Sequence, residues 1–263
     1  MVILRPKMNK EDILKQLKTE RFGKTMHVFE SLESTNVFAK GIAAEGTPEG
    51  SLVLAEFQTQ GKGRLGRAWY SSPGENLTFS LILRPRLSGK FIGIVSLYAS
   101  LCVANAVKKQ SQLELQCKWP NDILFNKNKI CGILSESIFA QGALSSVIIG
   151  VGLNVNEKNF PADLRQPATS LAIACKKDLD RVALLCEILQ EFEASYALLT
   201  DAHSPHLIER WSKLCPMFGK EATITQDGKI ITGIARAIGE DGQLILDTPD
   251  GLKHILAGDA TLG

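Results

Sequence analysis

The 263-residue chain carries no marked excess of either charge: 30 lysines and arginines against 28 aspartates and glutamates leave +2. A protein whose main task is coating nucleic acid needs a larger surplus, so that class is excluded. Long apolar runs are missing as well. The longest uncharged stretch, between Lys90 and Lys108, contains Ser96, Tyr98, Ser100 and Asn105, and it does not supply the roughly 18–20 predominantly apolar residues of a membrane span. The amino terminus, MVILRPKMNKEDILKQ, turns charged too early for the apolar region of a signal peptide. Six cysteines, at 102, 117, 131, 175, 186 and 215, include no Cys-x-x-Cys. The only close pair of histidines, His203 and His206, flanks Pro205 without a cysteine nearby. No structural metal is expected, and the cysteines read as reduced, mostly buried thiols of a cytoplasmic protein. Internal repeats and low-complexity tracts are absent.

What is present is an ordinary globular composition, 44% hydrophobic and 22% charged, enough for a sizeable core. The length suits one large domain, or a large one with a small one. Asn9 can cap a short helix with Ile13, Leu14 and Leu17 on one face. Strand-like runs follow at Thr25–Glu30, Leu52–Phe57, Leu77–Leu83, Leu113–Cys117, Ile130–Phe139 and Ser146–Val151. Helices are expected at Thr35–Glu45 and, largely buried, at Phe91–Val107. An amphipathic helix runs from about Asp178 to Leu199, its stripe formed by Val182, Leu185, Leu189, Phe192, Tyr196 and Leu199. From Pro216 the character changes. Asp-Gly pairs at 227–228, 241–242 and 250–251 punctuate short runs such as Ala222–Thr225, Ile230–Ile238 and Leu244–Leu246, a strong hairpin signal. The expected organisation is a domain over 1–215, opening with a short helical segment over 1–20, and a small all-β module over 216–263.

The segment after the strand LVLAEF carries the most chemistry: Gln58-Thr59-Gln60-Gly61-Lys62-Gly63-Arg64-Leu65-Gly66-Arg67. It contains a literal G-x-G-x-x-G. A dinucleotide fingerprint, however, needs a helix directly after the glycines and an acidic residue about 20 positions on. Here Trp69-Tyr70-Ser71-Ser72-Pro73-Gly74 follows, and no acidic residue lies between Glu75 and Glu114. A Walker loop fails too, because Lys62 is followed by glycine. What remains is a glycine-rich nest for an anion, with Lys62, Arg64 and Arg67 in six positions. Alone, these repelling cations should leave the segment mobile, and a polyanion should order it. The bland alternative is a solvated basic loop.

Three further clusters are individually ordinary. Lys118-Trp119-Pro120-Asn121-Asp122, followed by Lys129-Ile130-Cys131-Gly132-Ile133-Leu134, could be surface lysines around a turn. Gly150-Val151-Gly152-Leu153-Asn154-Val155-Asn156 could simply end a strand. Ser34-Thr35-Asn36 could be a helix N-cap.

Together and in this order, these segments resemble the biotin protein ligase family. The resemblance rests on Ser34-Thr35-Asn36, Gln58 with GKGRLGR at 61–67, KWPND at 118–122, Lys129 with GIL at 132–134, and GVGLNVN at 150–156, and it extends over nearly the whole chain from about residue 20. Lys62 stands where the family more often has arginine, which keeps the charge but loses a planar fork. The resemblance implies an α+β fold, a mixed β-sheet flanked by helices and related to class II aminoacyl-tRNA synthetases, followed by an SH3-like barrel. It also implies a two-step reaction. ATP with Mg2+ activates biotin to biotinyl-5'-AMP, and a lysine of a biotin carboxyl carrier protein then takes the biotinyl group.

In that scheme the carboxylate is already a nucleophile, so no serine or cysteine triad is needed and none is seen. What is needed is cancellation of charge between carboxylate and triphosphate. By the resemblance, Lys129 serves the biotin carboxylate and α-phosphate, Arg64 and its loop close over both substrates, and Lys118 and Asp122 are supporting charges. Asp122 is also a candidate to help the acceptor lysine lose its proton. Ser34, Thr35, Asn36, Gln58, Gly61, Lys62, Gly63 and Gly132 join Arg64 and Lys129 around biotin. Arg67, Trp69, Asn121 and Asn154 join Arg64 and Lys129 on the adenylate side, with core packing the competing role for Trp69.

Three alternatives stand beside this. A lipoate-protein ligase would share the adenylation logic, and substrate-dependent pyrophosphate release separates the two. A biotin-sensing repressor would need a helix-turn-helix. Only one short helix is expected before Thr25, so no repressor role and no nucleic-acid or membrane partner is expected. A non-catalytic binding module would show no ATP turnover. The acceptor carrier and the choice between monomer and homodimer, the latter through pairing of an edge strand, stay open.

Overall fold

The structure, a computed structural model, describes residues 6–226 and 228–262. Residues 1–5 of the expected N-terminal segment, Asp227 of the first Asp-Gly pair and Gly263 lie outside the described residues. The chain begins with helix α1 (Lys10–Gln16), where Asn9 Oδ1 accepts from the Asp12 amide and Ile13 is buried. Then come β1 (Met26–Leu32), α2 (Thr35–Ala44), β2 (Leu52–Gln58), β3 (Leu77–Leu83) and the long α3 (Ile94–Ser111). Four strands follow: β4 (Gln116–Lys118), β5 (Asp122–Phe125), β6 (Asn128–Ala140) and β7 (Ala143–Leu153). Helices α4 (Leu171–Cys175), α5 (Arg181–Ala194) and α6 (Ser204–Ser212) complete this part. The remainder is β8 (Glu221–Gln226), β9 (Lys229–Ile238), β10 (Leu244–Thr248), β11 (Gly251–Ile255) and β12 (Asp259–Leu262).

Strands β1–β7 form one mixed sheet in the order β1-β2-β3-β7-β6-β5-β4, in which only β1 and β2 run parallel. Strands β8–β12 form a separate antiparallel sheet ordered β11-β10-β9-β8-β12. The expected helix over Asp178–Leu199 is shorter than its apolar stripe. Asp180 caps α5 by accepting from the Val182 and Ala183 amides, and beyond Ala194 the stripe continues as a 3-10 turn, Tyr196–Leu198. Likewise α3 starts at Ile94, after a 3-10 turn over Gly89–Phe91. The strand expected at Leu113–Cys117 is displaced to Gln116–Lys118, because Gln112 ends α3 in the left-handed region and the chain must first leave the helix. Asn121-Asp122 is less of a turn than expected, since Asp122 opens β5.

Because side chains alternate along a strand, the large sheet has two unlike faces. On one, Leu52, Leu54, Phe79, Leu81, Ile149 and Val151 are buried in the main core, against which α3, α5 and α6 pack. On the other, Val53, Ile82 and Ile148 meet Ala39 and Ala43 of α2 in a smaller cluster. The α2 cover stops at its N-terminus. Beyond it, two successive rows on the same face are small or polar apart from Leu134: Ser80, Gly150 and Leu134, then Thr78, Gly152 and Gly132. That uncovered half of the face is where the site lies.

The second sheet docks beside it. The turn at Asp241-Gly242 places the Gly242 carbonyl 3.0 Å from Nε1 of the fully buried Trp119. Gly242 has φ +87°, and a Cβ there would lie 2.7 Å from the Gly93 carbonyl carbon, so both conformation and contact require glycine.

Candidate active site

A cavity of about 450 Å³ opens on the uncovered half of the sheet. Ser34, Thr35, Asn36, Gln58, Lys62, Gly63, Arg64, Arg67, Trp69, Lys118, Asn121, Asp122, Lys129, Gly132 and Asn154 all line it. Of the residues assigned to the site by the resemblance, Gly61 alone is not in the lining; it is buried behind it, where a Cβ would lie 2.8 Å from the Trp69 carbonyl. The cavity has an uncharged end, an apolar floor and a cationic end.

The uncharged end is built around the start of α2. Ser34 takes the N-cap position, but its side chain makes no capping bond. Gln58, the last residue of β2, does that work: its Oε1 accepts from the Thr35 amide at 2.7 Å and lies 3.0 Å from the Thr35 hydroxyl. Ser34 and Gln58 are buried, and Ser34 keeps its hydroxyl for the cavity. The Asn36 amide nitrogen donates to the Leu134 carbonyl and to Glu136, and its oxygen accepts from Ser80.

Two glycines in one row make the floor. The Trp69 ring lies across Gly132 and Gly152, so closely that a Cβ at Gly152 would be 2.7 Å from Trp69 Cζ2 and one at Gly132 would be 3.0 Å from Cζ3. Nε1 of Trp69 is buried with no hydrogen-bond partner among the described residues. The Lys129 ammonium sits 5.6 Å from the ring centroid, within cation–π reach. Trp69 therefore packs on the sheet and faces the cavity at once.

At the cationic end, six cations (Lys62, Arg64, Arg67, Lys118, Lys129 and Arg165) line the wall against two carboxylates, Asp122 and Asp259. Asp122 lies 2.6 Å from the Lys129 ammonium, and its other oxygen accepts from Gln166 at 3.1 Å. Lys118 forms no ion pair among the described residues; burial pulls its ammonium below the ordinary value, against the raising effect of Asp122. Burial likewise lowers the Arg64 guanidinium. Burying a cation without a close counter-charge is costly, so this wall suits an anion.

The arginines of the glycine-rich loop, expected to repel one another, find partners within the structure. Gly63 and Arg67 close the loop with a 2.7 Å backbone bond, and Lys62 bridges to Ala68. Arg64 donates to Asn121 Oδ1 and to the Gly258 carbonyl, each at 3.2 Å. Arg67 forks onto Asp259 of the second sheet, which also takes Arg165 at 2.9 Å. These bonds, Arg67 first, hold the Asp259 carboxyl at about 2. Leu65, at the loop tip, has φ 56° and is 70% exposed; an apolar L-residue held in that region is strained by about 1–2 kcal/mol.

Asp259 and Arg165 were not visible in the sequence. Asp259 lies 192 positions from Arg67, and Gly258-Asp259 reads locally as another turn. The segment bearing Arg165 is pinned by Lys129 itself, whose amide donates to the Pro167 carbonyl and whose carbonyl accepts from Thr169. Asn154 Nδ2 holds the Thr169 carbonyl at 3.0 Å, so that side chain also secures the segment. Among the described residues, no group of three His, Cys, Asp or Glu side chains could hold a metal ion.

Comparison with known proteins agrees with this architecture. The family described as biotin/lipoate A/B protein ligase matches residues 28–154, and the biotin protein ligase C terminal domain matches residues 217–263. The chain is 35% identical over 260 residues to the bifunctional ligase/repressor BirA of Bacillus subtilis, covering 98% of this chain and 80% of that one. It is 31% identical over 263 residues to the biotin–[acetyl-CoA-carboxylase] ligase of Mycobacterium tuberculosis, covering 97% and 96%. Among solved structures it is similar to the biotin protein ligase of Aquifex aeolicus in complex with biotin and ATP, with TM-score 0.76, 27% identity, and coverage of 91% of this chain and 99% of that one.

Proposed function

The chain belongs to the biotin protein ligase family, and on that premise we propose that it activates biotin with ATP to biotinyl-5'-AMP and then transfers the biotinyl group to a lysine of a biotin carboxyl carrier protein. One observation carries the reading. A single cavity runs from an uncharged, hydrogen-bonding end over an apolar floor to a wall of six cations and two carboxylates. A ligand with a polar ring, an apolar arm and a carboxylate fits that order, with a triphosphate beyond it.

In the first step a biotin carboxylate oxygen bonds to the α-phosphorus of ATP, the bond to the bridging oxygen breaks, and pyrophosphate leaves. Both partners are anions, so the barrier is electrostatic before it is covalent. Lys129 is assigned to the carboxylate and α-phosphate, held in place by Asp122 at 2.6 Å. Lys118, Arg64 and Arg67 take the remaining negative charge. Each well-placed donor of this kind contributes about 3 kcal/mol to the transition state. Ser34, Thr35 and Gln58 are assigned to the ureido ring. Asn36 and Asn121 support their neighbours, since Asn121 Nδ2 is committed to the Ile133 carbonyl at 2.7 Å. Trp69 is assigned to the adenylate side.

In the second step the acceptor amine, once neutral, attacks the acyl carbon. The carbon–oxygen bond to AMP breaks, AMP departs, and the new amide sheds one proton. Asp122 is the cavity carboxylate beside Lys129 and is assigned that proton transfer. The glycine-rich loop keeps water from the mixed anhydride meanwhile. The proposal divides the chain at 215/216 into a catalytic unit and a C-terminal module that supplies Asp259. It places the protein in the cytoplasm, where six free cysteines stay reduced, with no nucleic-acid partner. No helix among the described residues is long and apolar enough to cross a membrane. A second copy would pair along β1, which ends the seven-stranded sheet with no further strand beside it among the described residues.

The test is mass spectrometry of the protein incubated with biotin, ATP and Mg2+, and in parallel with lipoate. Bound biotinyl-5'-AMP, followed by a labelled carrier domain, is the expected result. Pyrophosphate release with lipoate but not with biotin would overturn the assignment.

A further inference from the structure

We propose that Ser80 and Glu136, neither of which lines the cavity, set the donor–acceptor polarity of its uncharged end and are positioning residues for a cyclic urea. This rests on the biotin reading above and extends it to residues outside the cavity wall. Two groups beside Asn36 have hydrogen-bond roles that admit no choice. The Leu134 carbonyl and the Glu136 carboxylate can only accept, so the Asn36 amide must turn its nitrogen to them, at 3.2 and 2.8 Å. Lys40 secures the other Glu136 oxygen. The amide packs against Gly150, where a Cβ would be 2.9 Å from Asn36 Cγ.

The Asn36 oxygen therefore faces β3, where Ser80 Oγ approaches to 2.6 Å and must donate. Ser80 has one proton and has spent it. Thr35 Oγ1, 2.8 Å from Ser80 Oγ, must then donate in its turn, to Ser80 or to Gln58 Oε1 at 3.0 Å. Its remaining lone pairs are free for the cavity. Gln58 is fixed independently, because Oε1 receives the Thr35 amide proton at 2.7 Å. Its Nε2 has no partner among the described residues and is the end offered to a ligand. The uncharged end thus presents amide donors from Gln58 and an acceptor from Thr35. A cyclic urea presents the complement, a carbonyl that accepts beside N–H groups that donate. The relay from Glu136 through Asn36 and Ser80 fixes the Thr35 half of this polarity before any ligand arrives, and the Thr35 amide fixes the Gln58 half.

The experiment uses the full chain and its pyrophosphate release with biotin, with 2-iminobiotin (whose C=N–H replaces the urea carbonyl) and with varied ATP. Ser80→Ala is expected to raise KM for biotin about tenfold, the loss of about one well-placed hydrogen bond, while kcat and the KM for ATP stay within about twofold. Its preference for biotin over 2-iminobiotin should shrink. Glu136→Ala should do the same, and Glu136→Gln should restore the preference because a glutamine oxygen still accepts from Asn36. If Ser80→Ala does not fold, the Glu136→Ala and Glu136→Gln pair decides alone. An unchanged biotin KM and preference in folded variants, or equal rises in KM for biotin and ATP, would overturn the proposal. Should the parent chain fail to activate biotin at all, the biotin reading falls as well, whereas a normal parent with indifferent variants defeats the relay alone.

Discussion

The two ends of the cavity, joined by one floor, solve the problem of polar burial in opposite ways. At the start of α2 the polar side chains are uncharged, and most of their hydrogen-bonding capacity is used within the protein: Gln58 caps Thr35, Ser80 serves Asn36, and Asn36 serves β6. At the far end, cations outnumber carboxylates and Lys118 stands without an ion pair among the described residues. The first end is oriented before a ligand arrives, with the Gln58 amide nitrogen and the Ser34 hydroxyl left for it, so it can discriminate by fixed geometry. The second is electrostatically incomplete and gains most when an anion enters. Selectivity and driving force are thereby assigned to different places.

The sharpest way to break this contrast is Lys129→Ala. It should lower the rate of pyrophosphate release by about 10²-fold or more, as removal of a transition-state donor does, with the fold unchanged by circular dichroism. Near-normal release would remove the cationic end from the chemistry. Arg64→Gly should act later, since it deletes the bonds to Asn121 and to the Gly258 carbonyl that hold the loop down. Biotinyl-5'-AMP should then dissociate about tenfold faster or more, because the covering loop sets its escape, and unrelated proteins should be labelled in the background. A variant that retains the intermediate like the parent would contradict that role.

Ionic strength separates the two ends without mutation. Between about 0.1 M and about 1 M salt the screening length falls from about 10 Å to about 3 Å. KM for ATP should climb several-fold by the same screening, and KM for biotin, which brings only one carboxylate to Lys129, should rise less. Parallel rises would mean that charge governs both ends. The smallest effect concerns Asp259, whose carboxyl is held down from 3.8 to about 2, chiefly by Arg67. A carboxylate with a depressed folded value stabilises above its unfolded value and loses that contribution as pH falls through the folded one. Asp259→Asn should therefore be less stable than the parent at neutral pH, with the gap closing between about pH 4 and about pH 2 as the parent protonates. A gap that persists at pH 2 in urea titrations would show that the ion pair is not its origin.

Much of the framework was legible because local patterns and tertiary needs agree. Asn9 caps α1 as its position before Ile13 suggests, and β3 spans Leu77–Leu83 as its apolar run does. Elements with weak local signals were not legible. The β5–β6 hairpin turns through Asn126 and Lys127, both at positive φ, where Asn-Gly would have announced it. Helix α6 carries Pro205 in its first turn, between two histidines, a segment that reads as surface by itself. In the site, glycines 132, 150 and 152 could be seen as a motif, but not as two rows of one sheet face. Long-range electrostatics were the least visible. The nearly fully buried pair Glu56–Arg181, at 2.6 Å, joins β2 to α5 across 125 positions. Removing one partner of such a pair destabilises by about 3–5 kcal/mol, and no local pattern marks either residue.

The three tryptophans sit in different surroundings. Trp119 and Trp211 are fully buried, with Nε1 bonded to the Gly242 carbonyl and to Ser100 Oγ. Trp69 is half-buried in the cavity, beneath a lysine and with its Nε1 unclaimed among the described residues. The molecule thus carries an internal optical gauge. Two indoles hold a steady background while the third senses the filling of the slot, so occupancy can be followed by emission without attaching a dye.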